Sequence, residues 1–509
     1  MFSRNILLLI VVLCVAGIGS LFLGSAVAQS EFNTVAGFVV GAIALTVYLL
    51  LGKNVWVLIP IFAYWTGNIG ILPIPFSVNN LVVGFVLFCW ILNILSRREN
   101  LRFSLKSLDV AILVLLVVLT IGYIRNPVSI AILGGNSAGA RPYFEMGMGL
   151  MAYIMLSSIR VDATWINRVA YLTVISCAIL AIGSAVAYFI PSVGLISSRV
   201  YSGFAPDLNA IITMEVGAGI TRAGYLTPLA ITITALLYAK RAPLMNISLR
   251  HPLRPVFLGI AIVCSLLSGF RGALGSQAGF FVIGSIMWWK GKGFALSMFI
   301  AATIVAGVFV VSMLIELPFG VQRSLSFLPG DWDHQLVTNT QRSNEFRFDM
   351  WHRAWYEDGI KDVWLGDGYR IPMSQLAYQK NLMAAGYVNE EERITYYLIT
   401  GDLHSGPLST IKYVGVLGLT MFLILSIMIA VQAWKLWNYA ISKNNHLLIG
   451  FYVMPMIYFP VAYVFIFGSF RIDLPRVFVS AGLLVLLKNV MRDSMPEEKQ
   501  EEIPTKEAV

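Results

Sequence analysis

Five arginines, one histidine and one aspartate stand where their chemistry needs an explanation. Arg199, Arg222, Arg271, Arg471 and Arg476 fall at the ends of apolar runs or in the short connections between them. Guanidinium groups grip phosphate oxygens bidentately, so arginines gathered at one membrane face suit an anion in the headgroup region. Arg271 stands in Ser268-Gly269-Phe270-Arg271-Gly272-Ala273, a hairpin with almost no loop, whose glycines permit close backbone approach. Arg222 opens another apolar run, followed by Gly224 and Pro228, and a proline in the first turns kinks a helix. Arg222 and Arg271 are therefore expected to converge on one polar pocket. Arg199, Arg471 and Arg476 are possible secondary anion contacts. The plainer reading for any one of them is lipid headgroup contact, or pairing with Asp207, Glu215 or Asp473.

His404 is set apart from the other four histidines by its neighbours. The stretch Gly401-Asp402-Leu403-His404-Ser405-Gly406-Pro407-Leu408 delivers it to the mouth of an apolar run, and Pro407 suits a helix's first turn. A helix N-terminus adds a positive dipole beside any bound phosphate. Imidazole is the commonest side chain for proton transfer near neutral pH, and Asp402 could fix its tautomer. A structural histidine in a loop is the alternative. No His-x-x-x-His or Cys-x-x-Cys spacing exists, so no metal ligands are expected. The pair Asp331 and Asp333 reads as a solvated turn before it reads as a divalent-ion site. There is no phosphate-loop lysine motif, no dinucleotide glycine fingerprint and no nucleophile elbow, so no cofactor is expected.

The elements that must position these residues are membrane helices. The chain has 509 residues, of which 58% are hydrophobic and only 12% charged. Its mean hydropathy is +0.76. That balance excludes a soluble enzyme or a disordered chain, and the lack of alternating ten-residue segments argues against a barrel. The pattern predicts an all-α polytopic membrane protein of about fourteen spans. The first would end in Ala26-Val27-Ala28, which resembles a leader-cleavage site, and its removal would leave thirteen. The net charge of +9 (36 basic, 27 acidic) has no compact basic patch that would suggest nucleic acid. Its excess falls in alternate connections, at Lys53, Arg97, Arg98, Arg102, Lys106, Lys240, Arg241 and Arg250, as the positive-inside bias requires with both termini cytoplasmic. The four cysteines, Cys14, Cys89, Cys177 and Cys264, lie in apolar spans and read as small hydrophobes.

Four segments follow: spans one to eleven over 1–315, a hydrophilic insertion over 316–407, the last three spans over 408–491, and an acidic tail over 492–509. On this topology the insertion lies outside. It carries thirteen acids against eight bases in a basic protein. Phe348, Trp351 and Trp355 at helical spacing predict a helix over Gln341 to Asp358 that stops at Gly359. A second helix is expected between Pro372 and Gly386.

The order of these motifs resembles the O-antigen ligase and polymerase superfamily. The resemblance is carried by Arg222-Ala-Gly, by Ser268-Gly-Phe-Arg271-Gly-Ala, and by Arg347, Trp351 and Trp355. It continues in Trp364-Leu-Gly-Asp-Gly, His404-Ser-Gly-Pro-Leu and Tyr413-Val-Gly-Val-Leu-Gly, so it covers chiefly residues 220 to 420. Thr227-Pro228 stands where Asn-Pro is common, Phe270 where Ser is frequent, and the spans outnumber those usual in the ligases.

The resemblance implies a bacterial inner-membrane glycosyltransferase. It would transfer glycan from undecaprenyl pyrophosphate on the periplasmic face, with inversion and without nucleotide or metal. Arg222 and Arg271 would hold the pyrophosphate and His404 would act at the acceptor hydroxyl. The acceptor would be a glycan, lipid A core or a protein, which leaves ligase, polymerase and protein glycosyltransferase open. A flippase or transporter of lipid-linked glycans is the alternative from a different class, and it should place its binding groups near the midplane.

Overall fold

The computed structural model describes residues 32–69, 76–96, 107–128, 140–204, 225–317, 319–370, 374, 377–378, 381, 390–443 and 447–493. Arg222, the expected leader-cleavage site, Cys14, Asp207 and Glu215 lie outside the described residues, as do most of the expected Pro372–Gly386 helix and the acidic tail. The side chain of Arg199 does too.

Within the described residues the chain is helical without strands. In order come α1 (Phe32–Leu51), running through a 3-10 turn into α2 (Leu58–Ile61), then α3 (Val78–Leu95), α4 (Ser107–Arg125), α5 (Arg141–Ser158), α6 (Ala163–Phe189) and α7 (Pro191–Val200). Next are α8 (Leu226–Lys240), α9 (Leu253–Leu267), α10 (Arg271–Trp289) and α11 (Gly291–Leu314). The polar stretch after them holds α12 (Phe319–Leu325), α13 (His334–Tyr356) and α14 (Glu390–Thr400). The chain then returns to apolar helices α15 (Gly406–Ser442), α16 (Ile449–Phe465) and α17 (Phe470–Asp493).

Backbone N–H and C=O groups in hydrocarbon must be bonded internally, which is why such apolar runs become helices. Among the described residues six helices are long and apolar enough to cross a membrane: Gly41–Ile61, Val78–Leu95, Ser107–Arg125, Ala163–Ala187, Gly291–Leu314 and Gly406–Ser442. Leu226–Lys240, Leu253–Leu267 and Ile449–Phe465 are apolar but shorter. The expected fourteen spans therefore exceed what length and composition establish here. The helices α5, α10 and α17 are long enough, but each opens on polar side chains: Arg141 and Glu145, Arg271 and Gln277, Arg471, Asp473 and Arg476. Of these, Arg271, Arg471 and Arg476 are candidate residues, and each lowers the apolarity of its own helix.

Small residues set the closest packing. Helices α5 and α17 make the most extensive pair, with Gly149 against the Pro475 backbone and Gly482 against Tyr153 and Leu156. Glycine at a crossing lets two backbones approach and gain dispersion contact without a hydrophobic drive between helices. One buried and one half-buried indole satisfy their N–H groups on carbonyls of neighbouring helices: Trp437 Nε1 donates to Met287 O at 3.0 Å and Trp288 Nε1 to Tyr238 O at 2.8 Å. By contrast α11 exposes nearly its whole apolar surface, as lipid contact requires.

The motif glycines after α13 explain how the polar stretch is fastened down. Helix α15 is broken at Gly415, whose φ is 70°. The loop 363–368 inserts its own backbone at the break: Val416 N donates to Val363 O at 2.8 Å, Asp367 N to Lys412 O at 2.8 Å and Gly368 N to Tyr413 O at 3.1 Å. Gly366 and Gly368 also have positive φ, at 74° and 69°. A Cβ on Gly366 would strike Val414 N, and one on Gly415 would strike Trp364 O. The Trp364-Leu-Gly-Asp-Gly and Tyr413-Val-Gly stretches are therefore two halves of one joint. Charge locks it: Lys412 Nζ reaches Asp367 Oδ2 at 2.7 Å, and Arg125 at the end of α4 reaches Asp362 Oδ2 at 2.6 Å. The Asp362 carboxyl is held below the usual carboxylate range, first by the Leu365 backbone N–H and then by Arg125.

Candidate functional site

Helix α13 bridges the start of α10 and the loop before α15 like a beam. Asp333 caps it, accepting from Gln335 N at 2.8 Å and Leu336 N at 3.3 Å. It begins seven residues before the expected start, because the capping role of Asp333 outweighs the turn expected around Asp331 and Asp333. Its end at Tyr356, with Asp358 at φ 59° just beyond, agrees with the expected stop. Near its start Thr340 Oγ1 accepts from Arg271 Nη2 at 2.9 Å. Near its end Trp351 Nε1 donates to Leu403 O at 2.7 Å. Eleven residues separate those contacts, roughly 16 Å along the axis. Arg271 and the His404 loop are thus fastened to one rigid element.

The His404 loop is tightly built. Met350, Ala354, Ile394 and Leu403 form a buried cluster that joins α13, α14 and the loop. Gly401 has φ 69°, and a Cβ there would meet the Tyr413 ring at 2.6 Å. His404 itself has φ 51°, a region non-glycine residues seldom occupy. Such a conformation persists only where its surroundings over-determine it, and these cluster at functional sites. Its ring lies 4.8 Å from the Tyr397 ring and 5.8 Å from that of Phe467, centroid to centroid. Phe467 follows Ile466, whose side chain sits opposite Gly272 and Gly275 in the first turns of α10. The 466–467 corner therefore separates the Arg271 helix start from the imidazole, with one on each side.

A polar nest lies beneath this loop. Tyr369 stacks on Tyr413 at 4.2 Å and meets Tyr143 edge-on at 5.2 Å, and Tyr143 meets Tyr123 at 5.2 Å. Burial pushes the Tyr369 phenol well above its usual range; Tyr413 and Tyr143 add to this and Arg471 opposes it. Asp402 is close enough to act electrostatically on both Tyr413 and Asp473. Asp402 Oδ1 and the Tyr369 hydroxyl are buried with no hydrogen-bond partner among the described residues. Buried polar atoms in this condition cost free energy and call for a ligand, a water or a mechanistic role. Arg471 is close enough to act electrostatically on Tyr369 and Tyr413.

Arg476 belongs elsewhere. It faces Asp473 Oδ1 at 3.5 Å and lines a cavity of about 400 Å³ between the helices, whose lining includes neither Arg271 nor His404. Arg199 sits in the last turn of α7, which folds back on α6. Sequence patterns did not single out Tyr369, Arg141 or Glu145 as site residues. The last two carried a signal, the four-residue spacing of an ion pair on one helix face, which closes at 2.9 Å. Among the described residues no group of three His, Cys, Asp or Glu side chains could hold a metal ion. Compared with known proteins, the chain matches no family model, and no curated protein matches it.

Proposed function

We propose that this chain is a multi-pass membrane glycosyltransferase that moves a glycan from a polyprenyl pyrophosphate to an acceptor hydroxyl at the outer face of a bacterial inner membrane. The reading includes fourteen spans, both termini cytoplasmic and residues 316–407 outside. The observation that carries it is the common anchoring of Arg271 and the His404 loop to α13, with the imidazole held at positive φ.

In this reaction the acceptor oxygen attacks the anomeric carbon from the face opposite the pyrophosphate. The bond from that carbon to the pyrophosphate oxygen breaks, and the configuration inverts. Arg271, with Arg222, stabilises the departing anion, and fixed charges aimed at a developing anion usually lower a barrier more than any other single effect. The hydroxyl proton passes to His404, and Asp402 positions the imidazole. The exposed aromatic rings of α13, Phe348 and Trp355, offer faces for sugars.

The test is incubation of the purified protein with a lipid-linked oligosaccharide and candidate acceptors, following free undecaprenyl pyrophosphate and transferred or lengthened glycan. His404→Ala and Arg271→Ala are expected to lose about a hundredfold or more in rate, the scale of one general base or one oxyanion donor. Full activity in both folded variants would overturn the assignment. Movement of the intact lipid across a bilayer with no bond made would favour the flippase reading instead.

A further inference from the structure

The cavity beside Arg476 carries chemistry of its own. Ionisable groups inside a membrane bundle are costly and mark a binding site or pathway by default. Here Glu145, Asp473 and Arg476 gather at one end, where α5 and α17 begin, and line the cavity with the amides Asn79 and Asn80 from the start of α3. Below them the lining is mostly apolar, with Val83, Ile429, Met456, Phe459 and Leu483, and the hydroxyls of Thr173, Thr232 and Ser426 there donate to carbonyls of their own helices. From Asp473 to Leu483 is ten residues of one helix, a depth of roughly 15 Å. A volume of about 400 Å³ falls in the ordinary range for small-molecule sites. This shape and polarity fit one amphiphile, apolar chain inward and polar head at the mouth.

The mouth also selects among heads. Its charges are balanced: Glu145 accepts from Arg141 at 2.9 Å and from Asn80 at 3.1 Å, and Asp473 accepts from Ser469 N at 2.9 Å and faces Arg476. An anionic head would bring a further negative charge beside the mostly buried Glu145 and Asp473 carboxylates, and a cationic head would compete with their present partners. An uncharged head rich in hydroxyls does neither. Arg476 approaches Asp473 only at 3.5 Å and its side chain is 51% exposed, so donors of its five-N–H fork remain to hold hydroxyl oxygens. Carboxylate, amide and guanidinium together supply both the acceptors and the donors that hydroxyls need. We propose that this cavity binds a glycolipid, seating its single apolar chain among Ile429, Met456 and Phe459 and its sugar hydroxyls on Asp473, Asn80 and Arg476. Such binding requires no sugar transfer by the chain.

The test uses the full chain in lipid nanodiscs and, as probe, dodecyl glucoside carrying a diazirine at the end of its chain. Irradiation is expected to label peptides bearing Ile429, Met456, Phe459 or Leu483. Unlabelled dodecyl glucoside should reduce that label about tenfold, while dodecyl phosphate reduces it by less than about twofold, since charge-assisted hydrogen bonds of this kind are lost with the sugar. Asp473→Asn should weaken labelling about tenfold by the same reasoning. Ala235→Phe, which fills the cavity, should abolish it, and Ser480→Leu serves where that variant does not fold. Arg271→Gln should leave the label unchanged while abolishing glycan transfer, so the two proposals fail separately. Label spread over the lipid-facing residues Phe299 and Ile304 and insensitive to the competitor would overturn the inference. Competition by dodecyl phosphate as strong as by the glucoside would overturn it as well.

Discussion

Gly366 and Gly415 hold one joint from opposite sides, and neither has room for a side chain. Both have positive φ, a region where a β-carbon is strained, and in both the added atom would meet backbone, which cannot rotate aside. Gly366→Ala is therefore expected to destabilise the protein by about 1 to 3 kcal/mol, the cost of a residue forced into such a conformation. The joint sets the position of Tyr413, whose hydroxyl donates to Thr400 O directly before the His404 loop, so the loss should reach the candidate site. Thermal unfolding of the detergent-solubilised protein measures it. Gly307→Ala is the control: it sits within α11 with nothing within 4 Å of the new atom, and alanine there favours the helix. Equal midpoints for the two variants would show that the joint carries no strain.

At the scale of elements, α13 does what no single residue can, tying the helix start at Arg271 to the loop at 401–405. Trp351→Phe keeps an aromatic face but removes the pyrrole half of the indole, including the N–H that donates to Leu403 O. The expected loss is about 1 kcal/mol for the hydrogen bond, with a carbonyl left short of a partner, plus about another 1 kcal/mol for the lost ring contacts. Because that carbonyl precedes His404, hydrogen exchange of the 401–405 amides should speed up while α15 stays protected; unchanged exchange would mean the bond does not hold the loop. How far this element could be read in advance depends on which residues shape it. Phe348, Trp351 and Trp355 recur at helical spacing, so the body of α13 and its stop near Gly359 were legible. Its start was not, because Asp333 is equally at home in a turn and at an N-cap. Helix α14 went unseen although Glu390, Glu391 and Glu392 crowd its first turn, where a helix dipole favours them. The tyrosines of the nest come from α4, α5, the 363–370 loop and α15, and no local pattern joins residues so far apart in sequence.

At the scale of the whole molecule, one end of the bundle gathers the starts of α5, α10, α15 and α17, the end of α4 and the polar stretch between α11 and α15. Arg125 bonded to Asp362 and Arg271 bonded to Thr340 tie that end together, so these parts must share one side of the membrane. The opposite end carries Lys240, Arg241, Arg250 and Arg254 in the connection from α8 to α9, and excess lysine and arginine mark the cytoplasmic side. The proposed orientation rests on combining the two, since neither observation alone says where the candidate site faces. Tyr356, 73% exposed in the last turn of α13, and Leu249, 83% exposed between α8 and α9, should then lie on opposite faces. Introducing Tyr356→Cys and Leu249→Cys one at a time, with the four native cysteines replaced by serine or alanine, makes the difference measurable. A membrane-impermeant maleimide small enough to cross the outer membrane should label the cysteine at 356 in intact bacterial cells and the one at 249 only after the inner membrane is opened. The reverse pattern would turn the molecule over, putting Arg271 and His404 on the cytoplasmic side. A donor displayed at the outer face could not reach them there, so the transferase proposal would fall with the topology.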